Sequence, residues 1–572
     1  MLSRRDLIQL TGAGLAAASA GLAAGCIATR NEDAKPGDAD LVVFNARVYT
    51  VDPNAPKAEA FAVKGDRFLA VGTSQEMKGL AGKRTQMYDA KGMTVLPGMI
   101  DCHLHPSTGT TILYELLVGN PYACEIVTID ETIAKLRKKA AETPPGIWVE
   151  GYFFDDTKVK DGRSINIHDL DKASTDHAIE VHHRGGHISY YNSKAFALAG
   201  ITKNTPNPPD GTFEHGPDGE LTGRVNERAR SVFNKVKQRV KYTPEQEFQR
   251  NRDGQALMSK AFVKSGLTSV HHSGGDLTAL QQLRERGELL HRVSYEAGGQ
   301  VLEAMITSGI RTGFGDEWIR FGAASEYICD GSCDERTMSI KAGYPGTNPP
   351  FYGIIVQGPD VLNPWVERMY RAGIQPNVHA NGDIAIDMYL TAIERAQKLV
   401  PVKDMRPKIT HCTLINDDLL RRIKAVDAVP AMFETYLYYN GEKWHLYGED
   451  FMSHAMAYRS MADAGIVAAF GSDFVCGPFD PLLAIQGIVT RKGWNGEVWG
   501  ANQRTSVDEA LRIGTINGAY NSHEERIKGS ITPGKLADYV VLAEDLHMVD
   551  PEKIKDIKVV RTVVGGRVVY QA

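Results

Sequence analysis

The chain has 572 residues, 42% of them hydrophobic, with 65 basic and 70 acidic side chains and a formal net charge of −5. This length predicts more than one domain and a large core. The absence of any basic run argues against nucleic acid as a partner, and no internal stretch is long and apolar enough to span a bilayer.

Residues 1–26 have the composition of an export signal and are excluded from the fold. The paired Arg4 and Arg5 resemble a twin-arginine motif, and the segment AAGC that ends at Cys26 resembles a lipobox, although alanine stands where a larger aliphatic residue is usual. We expect an exported protein, either periplasmic or anchored to the membrane by a lipid on Cys26, with residues 27–39 as a tether. A frayed amphipathic helix is the alternative interpretation.

Both ends of the remaining chain carry the pattern of antiparallel strands. Residues 40–96 and 523–572 consist of short alternating apolar and polar runs separated by Gly, Asn, Asp and Pro. Gly565-Gly566 predicts a hairpin turn near the C-terminus. We interpret the two ends as one small β domain, closed by strands from both termini.

Residues 97–522 show a different pattern, in which short apolar runs with polar ends alternate with helix-like segments. Eight such runs occur: MTVLPGMIDCHLH, LTSVHHSGG, RVSYEAGG, IRFGAASEYICDG, IQPNVHANGD, RPKITHC, AVPAMFET and IVAAFGSDF. Eight strands that alternate with helices predict an α/β fold of the (β/α)8, or TIM-type, barrel. Between the first and second runs, residues 107–262 approximately form a large insertion.

Side chains that can bind a metal fall at the ends of five of these runs. His103 and His105 end the first run, and their spacing places both on one face of a strand. The later runs contribute Glu326, His379, His411 and Asp473. Active sites of such barrels gather at the carboxyl ends of the strands, so the six side chains are predicted to meet around a metal. Singly, each could instead cap a strand end by hydrogen bonding.

The motifs PGMIDCHLH, VHANGD, ITHC and GSDF, followed by IKGSITPGKLADYVVL, resemble the amidohydrolase superfamily. The sequence is most similar to its YtcJ-like branch, amidohydrolase family 3, which includes N-substituted formamide deformylases. HISYYNSKAFALAGI, DGELTGRVNE, CDGSCDERT and DPLLAIQGIVTR add to the resemblance. It extends from about Asp40 to the C-terminus, and it implies a barrel that carries a small β-sandwich domain built from both termini.

The resemblance also implies a metal cofactor and its ligands. The cofactor is a divalent metal, most often zinc, as one or two ions. His103 and His105 match the first-strand ligands of the buried metal, and His379 and His411 match those of the fifth and sixth strands. Asp473 matches the aspartate that binds metal and acts as general base and acid.

Glu326 departs from the family pattern. Relatives often have a lysine at this position, four residues before the Asp-Gly pair at Asp330, and its carboxylated side chain bridges two metal ions. Glutamate is a carboxylate without modification and can coordinate a metal, but it is shorter. Whether Glu326 bridges two ions therefore stays open.

These ligands imply a hydrolase of amide-type C–N bonds that uses a metal-activated water, with Asp473 moving the proton. Two alternatives stay open: ester hydrolysis, isomerisation or decarboxylation at the same site, and a catalytically silent lipoprotein that binds a small molecule. The expected partner is a small-molecule substrate, and whether the chain forms a homo-oligomer stays open.

Three further residues are candidates for substrate binding. His187, in GGHISYYN, matches a family histidine that faces the substrate, but a surface or structural histidine is an equal alternative. His272 ends the second run beside His271, and periodicity does not decide which of the two faces the barrel. Arg336, in DERT, could bind a carboxylate or pair with a neighbouring acid.

Overall fold

The computed structural model describes residues 29–30 and 35–572. The predicted signal, residues 1–26, lies outside the described residues, as does part of the predicted tether. Within the described part of the chain, no helix combines the length and the apolar composition needed to cross a membrane.

The N-terminal part of the chain forms short strands and one helix. In chain order these are β1 (Thr29–Arg30), β2 (Ala39–Phe44), β3 (Arg47–Tyr49), β4 (Lys57–Ala58), β5 (Ala60–Lys64), β6 (Arg67–Gly72), α1 (Ser74–Lys78), β7 (Ala81–Asp89) and β8 (Thr94–Pro97). Five of these strands form one sheet in the order β1-β6-β5-β2-β7. Strand β9 (Met99–Leu104) follows β8 directly and begins a different, parallel sheet.

A large insertion separates β9 from the next parallel strand, and it has a sheet of its own. Its helices and strands are α2 (Thr108–Tyr114), β10 (Leu116–Leu117), α3 (Ile129–Glu142), β11 (Val149–Phe154), α4 (Ile167–Asp171), β12 (Ile179–His183), β13 (Ile188–Tyr191), α5 (Ser193–Ala199), β14 (Gly211–His215), β15 (Leu221–Glu227), α6 (Ser231–Asn234) and α7 (Pro244–Lys264). The strand order is β10-β11-β12-β13-β15-β14. Leu136, Phe154 and Val181 belong to the apolar core of this insertion.

The rest of the chain alternates short buried strands with helices. These elements are β16 (Leu267–Ser273), α8 (Leu277–Glu285), β17 (Arg292–Ala297), α9 (Gly299–Thr307), β18 (Ile319–Ala324), β19 (Tyr327–Ile328), α10 (Pro359–Ala372), β20 (Asn377–Ala380), α11 (Asp383–Leu399), β21 (Lys408–His411), α12 (Asp417–Ala425), β22 (Val429–Met432), α13 (Tyr436–Tyr439), α14 (Gly448–Met452), α15 (Tyr458–Asp463), β23 (Ala469–Phe470), α16 (Pro481–Thr490), α17 (Val507–Ile513) and α18 (Ile516–Asn521). The 3-10 helices are Arg228–Arg230, Gly441–Leu446, Ala501–Gln503 and Pro551–Asp556.

These strands form two parallel sheets, ordered β18-β17-β16-β9 and β19-β20-β21-β22-β23. The fourth predicted run is split between them, since β18 ends one sheet and β19 begins the other. The hydrogen-bonded ladders of the described residues do not close into one ring. Single backbone hydrogen bonds nevertheless link the sheets at both edges: Asp473 N donates to His103 O at 2.8 Å, and Ala324 N donates to Gln375 O at 3.0 Å.

Helices cover the parallel strands because each presents an apolar face to them. In α11, Ile386, Tyr389, Leu390 and Ile393 are fully buried at helical spacing. The carboxyl end of a parallel strand then meets the start of the next helix. This arrangement places polar side chains at that end, where the apolar core stops.

The last strands are β24 (Tyr539–Leu542), β25 (Val559–Val564) and β26 (Arg567–Gln571). They join N-terminal strands in a six-stranded sheet, β26-β25-β24-β8-β3-β4, so both chain ends share one sheet. Gly565 and Gly566, at φ +56° and +72°, turn the chain between β25 and β26, which confirms the predicted hairpin. The Phe61 and Tyr539 rings, 5.0 Å apart, pack this sheet against the first one. The predicted domain boundaries stay predictions.

Candidate active site

Six polar side chains converge at the carboxyl ends of the parallel strands. His103 and His105 come from β9 and its end, His379 from β20, and His411 from β21. Their ligand atoms form three overlapping groups, each within 4.8 Å: His103–His105–Glu326, His103–His411–Asp473 and Glu326–His379–His411. The structure therefore brings all six predicted ligands into one place.

Glu326 lies at the centre of this cluster because it occupies the two-residue link between β18 and β19. Its Oε2 lies 3.5 Å from His103 Nε2 and 3.5 Å from His379 Nδ1. Its Oε1 lies 3.4 Å from His105 Nε2. One carboxylate thus contacts histidines contributed by both parallel sheets.

Asp473 follows β23 and faces the first-strand histidines. Its Oδ1 lies 2.9 Å from His105 Nε2 and 3.3 Å from His103 Nε2. Asp473 has a φ of +51° and His411 a φ of +76°, which L-residues adopt rarely. Such backbone strain is concentrated at functional sites.

The buried charged groups of the cluster shift one another's pKa values. Burial disfavours the imidazolium of His105, but the Asp473 and Glu326 carboxylates outweigh burial and raise its pKa to about 9. Burial by itself would raise the pKa of Asp473, yet His103 and His105 hold that pKa well below its usual range. Burial and the neighbouring His379 push the pKa of His411 well below 6.5.

Several ligand atoms of the cluster have no hydrogen-bond partner although they are buried. These atoms are both ring nitrogens of His103, Oε2 of Glu326 and Nδ1 of His411. A buried polar atom without a partner costs free energy. Imidazole nitrogens and carboxylate oxygens are ligands of divalent metals, so the residues present fit a bound metal ion.

A cavity of about 750 Å³ opens beside the cluster. His187 lines it together with His105 and His379. The His187 ring lies 5.4 Å from the His379 ring, and its Nδ1 lies 3.0 Å from the carboxylate of Glu227. Glu227 and Glu335 outweigh burial and raise the pKa of His187 to about 9. His187 therefore lies where a substrate bound at the cluster would extend.

The other two predicted substrate residues are not brought to this cavity. His272 is buried, with its Nε2 2.9 Å from His291 Nε2, and does not line the cavity. Strand β16 is buried on both faces, so alternation alone does not identify its active-site face. Arg336 donates to Pro345 O and lines a separate cavity of about 650 Å³.

Two features of the site have no signature in the sequence. Glu227, the partner of His187, lies 40 residues away from it, and no periodic pattern links the two. Below the ligands, Glu296 and Lys408 form an ion pair with both side chains fully buried. Asn377 Nδ2 donates to Glu296 at 3.0 Å.

Comparison with known proteins identifies the family. The sequence model of the amidohydrolase family matches residues 86–570 of the chain. The chain belongs to the amidohydrolase family. This amidohydrolase is accordingly a hydrolase that acts on carbon–nitrogen bonds, and its ligand set is of the metal-binding kind.

Relatives of this amidohydrolase span nearly its whole length. YtcJ of Bacillus subtilis is 25% identical over 545 residues, 92% of this chain and 98% of YtcJ. The N-substituted formamide deformylase of Arthrobacter pascens is 25% identical over 547 residues, 93% of this chain and 98% of the deformylase. The crystal structure of a metal-dependent hydrolase from Pyrococcus horikoshii superposes with a TM-score of 0.67 at 22% identity, covering 89% of this chain and 99% of that one. That likeness supports a shared fold.

Proposed function

We propose that this amidohydrolase cleaves an amide bond of a small-molecule substrate with one or two divalent metal ions, zinc in the first place, held by the six clustered side chains. The observation that carries the proposal is the set of buried ligand atoms without partners on His103, Glu326 and His411. His103, His105 and Asp473 would hold one ion, and His379 and His411 a second. Glu326 belongs to one ligand group with His103 and His105 and to another with His379 and His411, so it would bridge the two ions.

We also propose that the two parallel sheets form the (β/α)8 barrel and the two terminal sheets a β-sandwich. The backbone hydrogen bonds from Asp473 N to His103 O and from Ala324 N to Gln375 O support a ring of strands. The apolar cluster that Phe61 shares with Tyr539 supports the sandwich.

In the proposed mechanism, a bound divalent cation supplies Lewis acidity that polarises the substrate carbonyl and acidifies a water molecule. Asp473 accepts the proton of the attacking water on its carboxylate and then delivers it to the leaving nitrogen. The pKa of Asp473 lies well below its usual range, so its carboxylate is in the ionised form that can accept a proton. The cavity leaves room for both parts of an amide substrate.

The test combines metal content with a substrate screen. Because a relative is an N-substituted formamide deformylase, the screen should contain N-substituted formamides beside other amides and matched esters. We expect turnover of at least one amide class, loss of that turnover with a chelator, and recovery on addition of zinc. Turnover that persists in metal-free protein would contradict the proposal.

We further propose that the protein is exported and carries a lipid on Cys26, on the basis of the Arg4-Arg5 pair and the lipobox-like segment. Replacing both arginines with lysine should retain the protein in the cytoplasm, and Cys26→Ser should release a form that is not attached to the membrane. If the double arginine variant is still exported, the twin-arginine route is wrong. If the Cys26→Ser protein stays attached to the membrane, the lipid anchor is wrong.

A further inference from the structure

The cavity beside the cluster is lined by five cationic side chains, and most of them already have partners. Arg239 donates two hydrogen bonds to Glu150, at 2.6 and 2.7 Å. Lys237 pairs with Glu180. Arg228, which is half exposed, lies 3.6 Å from Asp210. The remaining two cations are Arg184 and Arg230.

Arg184 is buried, and every nitrogen of its guanidinium is occupied. It donates to the carbonyl oxygens of Cys476, Asn120 and Pro121 and to the hydroxyl of Tyr439, at 2.7 to 3.1 Å. These bonds tie the insertion to the loop after Asp473. Four of the five N–H donors of Arg184 are thus used within the protein.

Arg230 differs from the other four cations. Its Nε donates to Glu227 O at 3.1 Å, which fixes the guanidinium. Among residues 35–572, neither of its Nη atoms makes a hydrogen bond or an ion pair. The nearby carboxylate of Glu227 is engaged instead by His187, at 3.0 Å, and by the hydroxyl of Thr337, at 3.1 Å. Both Nη groups of Arg230, which lines the cavity, thus lack a partner among the described residues.

The backbone around Arg230 is shaped for this arrangement. Glu227 has a φ of +50° and a ψ of −137°, a conformation that L-residues seldom adopt. It ends β15 and starts the 3-10 helix Arg228–Arg230, and so directs its carboxylate to His187 while its carbonyl accepts from Arg230. His187 in turn lies beside His379 of the cluster.

We propose that Arg230 determines substrate specificity by binding a carboxylate group of the substrate. The substrates would then be N-acylated amines that carry a carboxylate away from the scissile amide. A guanidinium with free Nη donors matches a carboxylate bidentately. The inference rests on the proposed amide hydrolysis, because it describes the other end of the same substrate.

The test uses pairs of N-acyl substrates that differ only in a terminal carboxylate or a primary alcohol. For the metal-loaded wild-type enzyme we expect kcat/KM to favour the carboxylate by roughly 10- to 100-fold, the range for a hydrogen bond to a charged group. Arg230→Ala should remove this preference, mainly through KM, and leave the alcohol substrate within about twofold. Arg230→Lys should restore part of it. Arg371→Ala, which removes an exposed cation of α10 outside the cavity, should keep the preference.

Equal kcat/KM for both members of a pair in the wild type, or a preference that survives Arg230→Ala, would overturn the inference while amide hydrolysis stands. If no amide is turned over, the proposed function fails, and calorimetry with 4-phenylbutyrate and 4-phenylbutanol still tests Arg230. We then expect Arg230→Ala to weaken binding of the carboxylate at least about 10-fold; unchanged binding would overturn the inference.

Discussion

Lys408 and Glu296 form an ion pair in which both side chains are fully buried. Lys408 Nζ also donates to Cys102 O, next to the ligand His103. Burial by itself would raise the pKa of Glu296, but Lys408 outweighs burial and lowers that pKa to about 2. The pair joins β17 of one parallel sheet to β21 of the other, directly below the candidate metal ligands.

Lys408→Met should destabilise the fold strongly, because it leaves the Glu296 carboxylate buried without its cation. The loss of one partner from a buried pair costs about 3–5 kcal/mol. Urea unfolding measures the change. The double variant Lys408→Met/Glu296→Gln should recover much of it, and a Lys408→Met protein as stable as wild type would contradict this role of the pair.

Asp473→Asn should lower kcat by at least about 100-fold, since the amide keeps an oxygen ligand but cannot accept a proton near neutral pH. Metal content should be retained, though binding can weaken. The control is His411→Ala, which should lose metal and regain part of its activity in excess metal. If the fully loaded Asp473→Asn enzyme hydrolyses its amide at nearly the wild-type rate, Asp473 does not transfer the proton.

Glu326→Gln should reduce the number of metal ions bound per chain. The amide removes the negative charge that faces His103 and His379 from a single side chain. Elemental analysis of the purified protein after loading with zinc measures the stoichiometry. An unchanged metal count together with unchanged activity would show that Glu326 is not a ligand.

His183 should make stability depend on pH. Its Nδ1 lies 2.8 Å from Glu335 and its Nε2 lies 3.3 Å from Asp156. Burial lowers the pKa of His183, but these two carboxylates outweigh burial and raise it to about 10. In the unfolded chain a histidine titrates near 6.5. The protonated form therefore stabilises the fold fully below pH 6.5, and this contribution is lost as pH rises towards 10.

The comparison of wild type with His183→Asn measures this contribution. The difference between their urea midpoints should be largest near pH 6 and should shrink as the pH approaches 10. His215→Asn, which changes an exposed histidine of the same insertion, is the matched control and should have little effect. A difference for His183→Asn that stays constant across the range would contradict the assignment.

The arrangement of the candidate ligands was largely accessible from the sequence, because local periodicity determines it. In a strand, residues two apart share a face, so the spacing of His103 and His105 already placed them together. His411 ends β21 and His379 stands one residue before the end of β20, and the carboxyl ends of parallel strands lie on the same side of a sheet. Strand direction therefore predicts which end of each sheet carries these side chains.

Features that depend on how distant segments pack together could not be predicted from the sequence. Strand β16 is buried on both faces, so His272 could not be assigned to the cavity or away from it. Arg336 has a φ of +57° in a turn, and its direction depends on that turn. The contact between His187 and Glu227 depends on how β13 pairs with β15 in the insertion. The break between β18 and β19 at Glu326 could not be predicted either, because the apolar run of the sequence continues across it.

The boundary between the two parallel sheets passes through the ligand cluster. His103 and His105 are attached to one sheet, His379 and His411 to the other, and Glu326 to the link between them. A cation bound here would cross-link the sheets much as a disulfide cross-links two strands. Metal release and separation of the sheets are then coupled, and a ligand that binds only the assembled state stabilises it by mass action. Treatment with a chelator should therefore make the loops along this boundary easier to cleave with a protease, before any global unfolding.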